Sequence, residues 1–139
     1  MKLAALLVVA GCATQYAYTF QPIAPKPDPD LEAAAQIDAA TGVVLLELAN
    51  HTDDLLQVQW SAITLAGPGA PASLRPDVDP GWLQPGARVS ARLFPLALPR
   101  EGAKAAANEG RQFQLTVPVI ARRESKVYQL TLTAHVREL

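Results

Sequence analysis

The sequence predicts an all-β domain, an antiparallel β-sandwich of immunoglobulin-like or transthyretin-like type with about seven short strands. Apolar and polar residues alternate with a period of two over most of residues 31–139, as expected for strands that bury one face. Turn residues recur about every ten positions, and no stretch has the periodicity of a long amphipathic helix. A small β-barrel is the alternative that this pattern leaves open.

Length and charge narrow the class of protein. The chain has 139 residues, which suffices for one domain with a substantial core. Its formal net charge of −1 provides no field that would attract nucleic acid, so no nucleic-acid partner is expected. The single cysteine, Cys12, leaves no possibility of an intrachain disulfide.

The first twelve residues read MKLAALLVVAGC, in which Lys2 precedes an apolar run from Leu3 to Ala10. A basic start, a short apolar core and small residues are typical of a secretory signal peptide, and the run is shorter than the ~20 residues of a membrane span. We therefore predict that residues 1–11 are a signal peptide. Two alternatives to the lipid anchor described next are an ordinary signal peptide, after which Cys12 occurs by chance, and a cytosolic start in which Cys12 is a buried thiol.

The segment Val9-Ala10-Gly11-Cys12 resembles the lipobox of bacterial lipoproteins, in which type II signal peptidase cuts before a cysteine that carries acyl chains such as palmitate. The resemblance implies that Val9, Ala10 and Gly11 form the peptidase motif and that Cys12 is the lipid anchor. In a diderm bacterium, Ala13 after the cysteine implies passage to the outer membrane, with the protein facing the periplasm.

Residues 12–30 are predicted to be the lipidated N-terminus and a tether. Proline fixes its own backbone and biases the preceding residue towards extended geometry, so a cluster of prolines favours a polyproline II spacer. Phe20 is expected either to rest at the membrane interface or to begin an edge strand. The folded domain is therefore predicted to span residues 31–139. The four prolines of the tether are Pro22, Pro25, Pro27 and Pro29.

The first strands follow this tether. Leu31–Ala35 fit either a helical turn or the lead into a strand, and Gln36–Ala39 fit a short strand. Val43–Ala49 are apolar on both faces, which indicates a central strand. After a polar turn, Leu55–Leu65 are predicted to run back as one strand, with Trp60 in the centre of the core.

A turn-rich connection follows a predicted short edge strand at Ser73–Arg75. Pro80-Gly81 and Pro85-Gly86 both fit the central positions of type II turns. Trp82 lies between these turns, where it is expected either to cap the end of the sandwich or to contact a partner or ligand. The cap is favoured, because a large aromatic side chain usually buries its apolar area.

The C-terminal half predicts three more strands, at Val89–Leu93, Gln112–Val117 and Lys126–Arg137. It also predicts one helical turn, at Ala103–Ala107. The last of these strands has the most regular alternation. Ala121–Ser125 form a charged turn between the final two strands. Arg122 and Arg123 in this turn are most simply a hairpin tip, and the alternative is a contact to phosphate, a polymer or a partner.

The sequence lacks the patterns that catalysis, metals and nucleotides require. The serines have no GxSxG context, and the glycines form neither GxGxxG nor a Walker loop. His51 and His135 are far apart, so no metal site is predicted. Asp77–Gly81 has its glycine one position too early for a calcium loop. We expect no enzyme and no cofactor.

These observations predict a non-enzymatic accessory module of the cell envelope. It would be held in the outer membrane by lipid on Cys12 and would bind or help to assemble another envelope protein. The alternative is a ligand-binding module for a small molecule, a sugar or a cell-wall polymer, with the loops around Trp82 as its site.

Overall fold

The computed structural model describes residues 13–68 and 72–139, which form ten strands, one short helix and a 3-10 turn. The 3-10 turn covers Trp60–Ala62, and the helix, α1, covers Gly102–Ala106 where one helical turn was predicted. The strands are β1 (Tyr16–Pro22), β2 (Leu31–Asp38), β3 (Val43–Asn50), β4 (Leu56–Val58), β5 (Thr64–Ala66), β6 (Ala72–Ser73), β7 (Arg75–Pro76), β8 (Arg88–Phe94), β9 (Gln112–Ala121) and β10 (Glu124–Glu138).

The strands form two antiparallel sheets. The first has the order β1-β10-β9-β5-β6, and β4 also pairs with β9. The second has the order β2-β3-β8-β7. The sheets are not closed, so the predicted sandwich is confirmed and the barrel alternative is wrong.

The core lies between the inward faces of the two sheets. β3 is the central strand that the sequence predicted, because it pairs with both β2 and β8. Its outer face is nevertheless open: Leu45 and Glu47 are exposed, whereas their neighbours along the strand are buried. The core includes Val44, Leu46 and Leu48 of β3, Leu115, Val117 and Val119 of β9, and Leu130, Leu132 and Ala134 of β10.

The predicted strand Leu55–Leu65 is interrupted. β4 and β5 both pair with β9, but residues 59–63 lie opposite only residues 117 and 118. The extra residues fold into the 3-10 turn, which buries both Trp60 and Ile63. In a regular strand, side chains three positions apart lie on opposite faces, so Trp60 and Ile63 could not both be buried. The prediction of one continuous strand was therefore wrong. Trp60 does belong to the core, as predicted.

The predicted boundary of the domain at residue 31 is also corrected. β1 pairs with β10 from Tyr16 opposite Glu138 to Pro22 opposite Leu132. The Phe20 ring is buried and meets the Phe113 ring edge to face, with 5.5 Å between centroids. Seven of the 19 residues of the predicted tether, those of β1, therefore belong to the sandwich. Residues 23–30 connect the two sheets, and Leu31–Ala35 begin β2.

The two ends of the sandwich are distinct. At one end, the amide of Leu139 donates to Gln15 O at 2.9 Å, and the amide of Gly102 donates to Thr14 O at 2.9 Å. At the other end lies the turn between β9 and β10. β10 has 15 residues and joins the two ends, which places them roughly 45 Å apart at about 3.3 Å per residue. Among the described residues, no helix is long and apolar enough to cross a bilayer.

The place of β1 in the fold predicts a contrast between two neighbouring residues. Replacing Phe20 by Ala removes a buried ring and should lower the free energy of unfolding by about 3–5 kcal/mol. Thr19→Ala, on the exposed face of the same strand, should change it by less than about 0.5 kcal/mol. Urea denaturation of both variants measures the difference, and similar small effects would show that β1 contributes little to the domain.

Candidate functional site

Trp82 lies on the connection between β7 and β8, and 56% of its surface is exposed. The favoured expectation that it caps the core is therefore wrong. Trp60 takes the buried aromatic position instead, and Trp82 extends into solvent at the end of the sandwich that carries the β9–β10 turn. Leu83 marks that end, because it bridges to Leu56, which pairs with Ala121.

The backbone before Trp82 is held by two side chains. The indole Nε1 of Trp60 donates to Gly81 O at 3.1 Å, and the Asp79 carboxylate accepts the amide of Gly81 at 2.9 Å. Gly81 has a φ of +72°, a conformation in which glycine avoids the steric cost of a Cβ atom. The Pro80-Gly81 turn is thus fixed from the core side and from within the loop.

The backbone after Trp82 is held by strand-like bonds and by Asn50. Leu83 and Leu56 exchange backbone hydrogen bonds of 2.9 and 3.0 Å. The side-chain Nδ2 of Asn50 donates to Leu83 O and to Gln84 O, both at 3.1 Å. The predicted turn at Pro85-Gly86 is closed by the amide of Ala87, which donates to Gln84 O at 3.0 Å.

Asn50 itself is almost completely buried, with 1% of its surface exposed. Besides the bonds to the Trp82 loop, its Nδ2 donates to Asp54 O at 2.8 Å. Its Oδ1 accepts the amide of Thr52 at 2.9 Å and the hydroxyl of Thr52 at 2.7 Å. One side chain thereby joins the β3–β4 turn to the Trp82 loop. Every polar atom of this side chain is satisfied, as burial requires.

The alternation in β3 also predicts that Asn50 is buried. The interpretation of residues 50–54 as a polar turn overlooked this. Val44, Leu46 and Leu48 point inwards, so the same alternation places position 50 on the inward face. A polar residue there must find buried partners, and an asparagine with two donors and an acceptor suits the carbonyls of tight turns.

A groove of about 410 Å³ lies beside Trp82 on the side of the sandwich formed by β4 and β7. The exposed indole supplies a flat apolar surface, and the side chains around the groove supply amide, hydroxyl, guanidinium and carboxylate groups. Such a combination can contact a peptide or stack against a sugar while hydrogen bonds fix its orientation. The polar residues lining the groove are Gln57, Gln59, Ser61, Arg75 and Asp79.

Arg122 and Arg123 form the tip of the β9–β10 hairpin and do not line the groove. Both have positive φ, of 52° and 65°, in a two-residue turn where Asn-Gly is the usual choice. The Arg122 guanidinium pairs with the Asp54 carboxylate, and that contact raises the pKa of Arg122. Because the Asn50 side chain also donates to Asp54 O, the hydrogen-bond network that fixes the Trp82 loop includes the residue that pairs with Arg122.

The two histidines each meet a glutamate at the surface. His51 Nε2 lies 3.1 Å from Glu32 Oε2, and His135 Nδ1 lies 3.2 Å from Glu109 Oε1. The hydrogen bond from His51, aided by the charge of Arg88, lowers the pKa of Glu32. Within residues 13–68 and 72–139, no three His, Cys, Asp or Glu side chains come together as metal ligands would.

The predicted peptidase motif, Val9, Ala10 and Gly11, and the predicted lipidation site, Cys12, lie outside the described residues. Comparison with protein-family models, with curated proteins and with solved structures finds no match to this chain.

The buried position of Asn50 predicts a strong response to Asn50→Asp. A carboxylate cannot donate to the carbonyls of Asp54, Leu83 and Gln84, so we expect a loss of about 2–4 kcal/mol of folding free energy. Asn108 provides a comparison, because its Nδ2 donates to one group, the Tyr18 hydroxyl, whereas that of Asn50 donates to three backbone carbonyls. Asn108→Asp should cost about 1 kcal/mol, and equal losses in urea denaturation would contradict the role given to Asn50.

Proposed function

We propose that this protein is a lipid-anchored module of the bacterial cell envelope that binds another envelope protein without catalysis. The observation that carries the proposal is the exposed Trp82 on a backbone that is fixed on both sides. Exposed tryptophan is typical of residues that dominate the energy of protein interfaces. A fixed loop loses little conformational entropy when it binds, so the contact is preorganised.

The anchor follows from the resemblance of Val9-Ala10-Gly11-Cys12 to a lipobox, with Ala13 favouring the outer membrane. Because β1 begins at Tyr16, only residues 13–15 separate Cys12 from the sandwich. Three extended residues reach about 10 Å. The domain would therefore lie close to the bilayer, without the long spacer that the proline content had predicted.

The same arrangement gives the domain an orientation. Thr14 and Gln15 are bonded at one end of the sandwich, so lipid on Cys12 would hold that end towards the membrane. The opposite end carries Trp82 and the Arg122-Arg123 tip. These residues would face the periplasm, roughly one strand length from the bilayer surface, where a partner anchored elsewhere can reach them.

The groove beside Trp82 favours one second candidate function, the binding of a sugar or cell-wall polymer. Its lining combines the exposed indole with Gln57, Gln59 and Arg75. Planar amide and guanidinium groups next to an aromatic ring can bind the hydroxyls and the apolar face of a sugar. A partner protein is preferred, because Trp82 projects beyond the groove with more than half of its surface free.

A photo-reactive amino acid in place of Trp82 tests the proposal in intact cells. We expect illumination to produce a discrete protein adduct, recovered in the outer-membrane fraction together with the acylated chain. The matched control carries the same amino acid in place of Leu45, which is also exposed but lies on the outer face of β3. This control should give no such adduct.

Repeating the experiment in Cys12→Ala separates the anchor from the contact. Without lipid, the chain should leave the membrane fraction, and the yield of the adduct should fall at least about tenfold, since tethering raises the effective concentration of the partner. A crosslinked partner that resists protease but is degraded by glycan-cleaving enzymes would favour the polymer. Equal yields from positions 82 and 45 would contradict a contact at Trp82, and a soluble, unacylated wild type would contradict the anchor.

A further inference from the structure

β10 is longer than its neighbour β1, and this difference leaves part of its edge open. β1 ends at Pro22 opposite Leu132, and the amide of Ile23 makes one more bond, to Thr131 O at 2.9 Å. From residue 124 to residue 130, β10 remains a regular strand paired with β9 on its other side. Within the described part of the chain, no strand continues the place of β1 along these residues, which we call the open edge.

The backbone groups of the open edge point away from β9. Ala134 bonds to residues 110 and 111 on the β9 side, whereas Thr131 bonds to Ile23 and Leu139 bonds to Gln15, the residues that flank β1. Since backbone direction alternates along a strand, Val127 and Gln129 direct their N–H and C=O groups to the β1 side. No described residue makes a backbone hydrogen bond to them there.

A cleft of about 880 Å³ lies beside the open edge. One wall is β10 itself, the second is the start of β2, and the third is the connection formed by residues 25–28. The inward side chains of Tyr128, Leu130, Leu31 and Ala33 give the cleft an apolar floor. Burial there raises the pKa of Tyr128.

The chain's own connection does not fill this cleft. Prolines at positions 22, 25, 27 and 29 supply no amide donors, so this segment is poorly suited to continue the ladder. The Asp28 carboxylate accepts the amide of Asp30 at 2.8 Å, which turns the chain into β2. Lys126 Nζ lies 3.0 Å from Asp30 Oδ2 and holds the connection across the end of the cleft.

β10 also extends beyond its other neighbour, β9, and a side chain covers the strand there. β10 extends past the start of β9, and there the Glu109 carboxylate accepts the amide of Val136. This hydrogen bond lowers the pKa of Glu109. An acidic side chain thus covers an exposed strand amide at one overhang, as proteins commonly do to protect sheet edges. At the open edge, the amides of Val127 and Gln129 have no such cover among the described residues.

We propose that the open edge binds an extended segment of another polypeptide, which adds a strand antiparallel to β10 and in line with β1. The unpaired backbone groups select an extended peptide, because only a second backbone matches their spacing. The segment would place apolar side chains into the cleft at alternate positions and polar ones towards the solvent side, next to Val127, which is 59% exposed. Charges of both signs at the rim, from Lys26, Lys126, Asp28 and Glu32, favour no strongly charged partner.

This site is separate from the one proposed for Trp82. The groove beside Trp82 lies on the β4 and β7 side of the sandwich, and the cleft lies on the opposite side, between β10 and β2. Trp82→Ala should therefore leave peptide binding at the open edge unchanged, and failure of one proposal leaves the other intact.

A library of random twelve-residue peptides displayed on phage supplies the probe. We expect selection on the purified protein to enrich peptides with apolar residues at every second position. A synthetic copy of the most enriched peptide should slow hydrogen exchange at the amides of Val127 and Gln129 at least tenfold. The amide of Tyr128, which faces β9, provides the internal control and should change little.

N-methylation of the peptide gives the decisive comparison. Methyl groups on two alternate amides that face β10 should weaken binding at least about tenfold, while methyl groups on the intervening amides should be tolerated. Equal effects of the two methylated peptides, absence of any selected peptide, or slowed exchange at other sites only would each overturn the proposal. Concentration-dependent dimers that bury the same amides without peptide would assign the open edge to a second copy of the chain instead.

Discussion

The arrangement of one end of this sandwich depends on a single buried side chain, that of Asn50. Its amide contacts the carbonyls of two separate segments, and its oxygen orders the turn that follows β3. In a buried environment each of these groups costs free energy unless it is paired, so the turn and the Trp82 loop must keep their present geometry together. The positions of the exposed Trp82 and of the ion pair between Arg122 and Asp54 both depend on these hydrogen bonds of Asn50.

Alternation in the sequence predicted an all-β sandwich and left a small barrel open as the alternative, which the unclosed sheets exclude. β8, β9 and β10 lie where apolar and polar residues alternate most regularly, and β3 lies where the sequence is apolar on both faces; the number and spacing of such segments predicted two packed sheets. The errors arose where pairing between distant segments decided the outcome. β1 is a strand because β10 offers it an edge and Phe113 offers Phe20 a partner, and neither fact is visible in the proline-rich local sequence. The interruption at Trp60 likewise reflects how β4 and β5 share β9.

The candidate site could be located from the sequence only in part. Two Pro-Gly pairs around Trp82 predicted a loop, and the structure has one there. Its exposure could not be predicted, because whether Trp82 or Trp60 fills the core depends on the 3-10 turn and on the bond from Trp60 to Gly81. The open edge of β10 was equally hidden, since it is the consequence of where β1 stops. Arg122 and Arg123 were correctly predicted at a hairpin tip, although their sequence gives no sign of the contact with Asp54.

We infer that Trp82 projects from a rigid backbone, and ¹⁵N relaxation of the Trp82 amide measures that rigidity. If the bonds from Asn50, Trp60 and Leu56 fix the loop as described, the order parameter of this amide should be about 0.85, equal to that of amides in β3 and β9. A value below about 0.6, typical of a flexible loop, would show that these bonds do not fix the backbone at Trp82. Trp82 would then be a mobile side chain on an unsupported loop, without the preorganisation that its proposed role in binding requires.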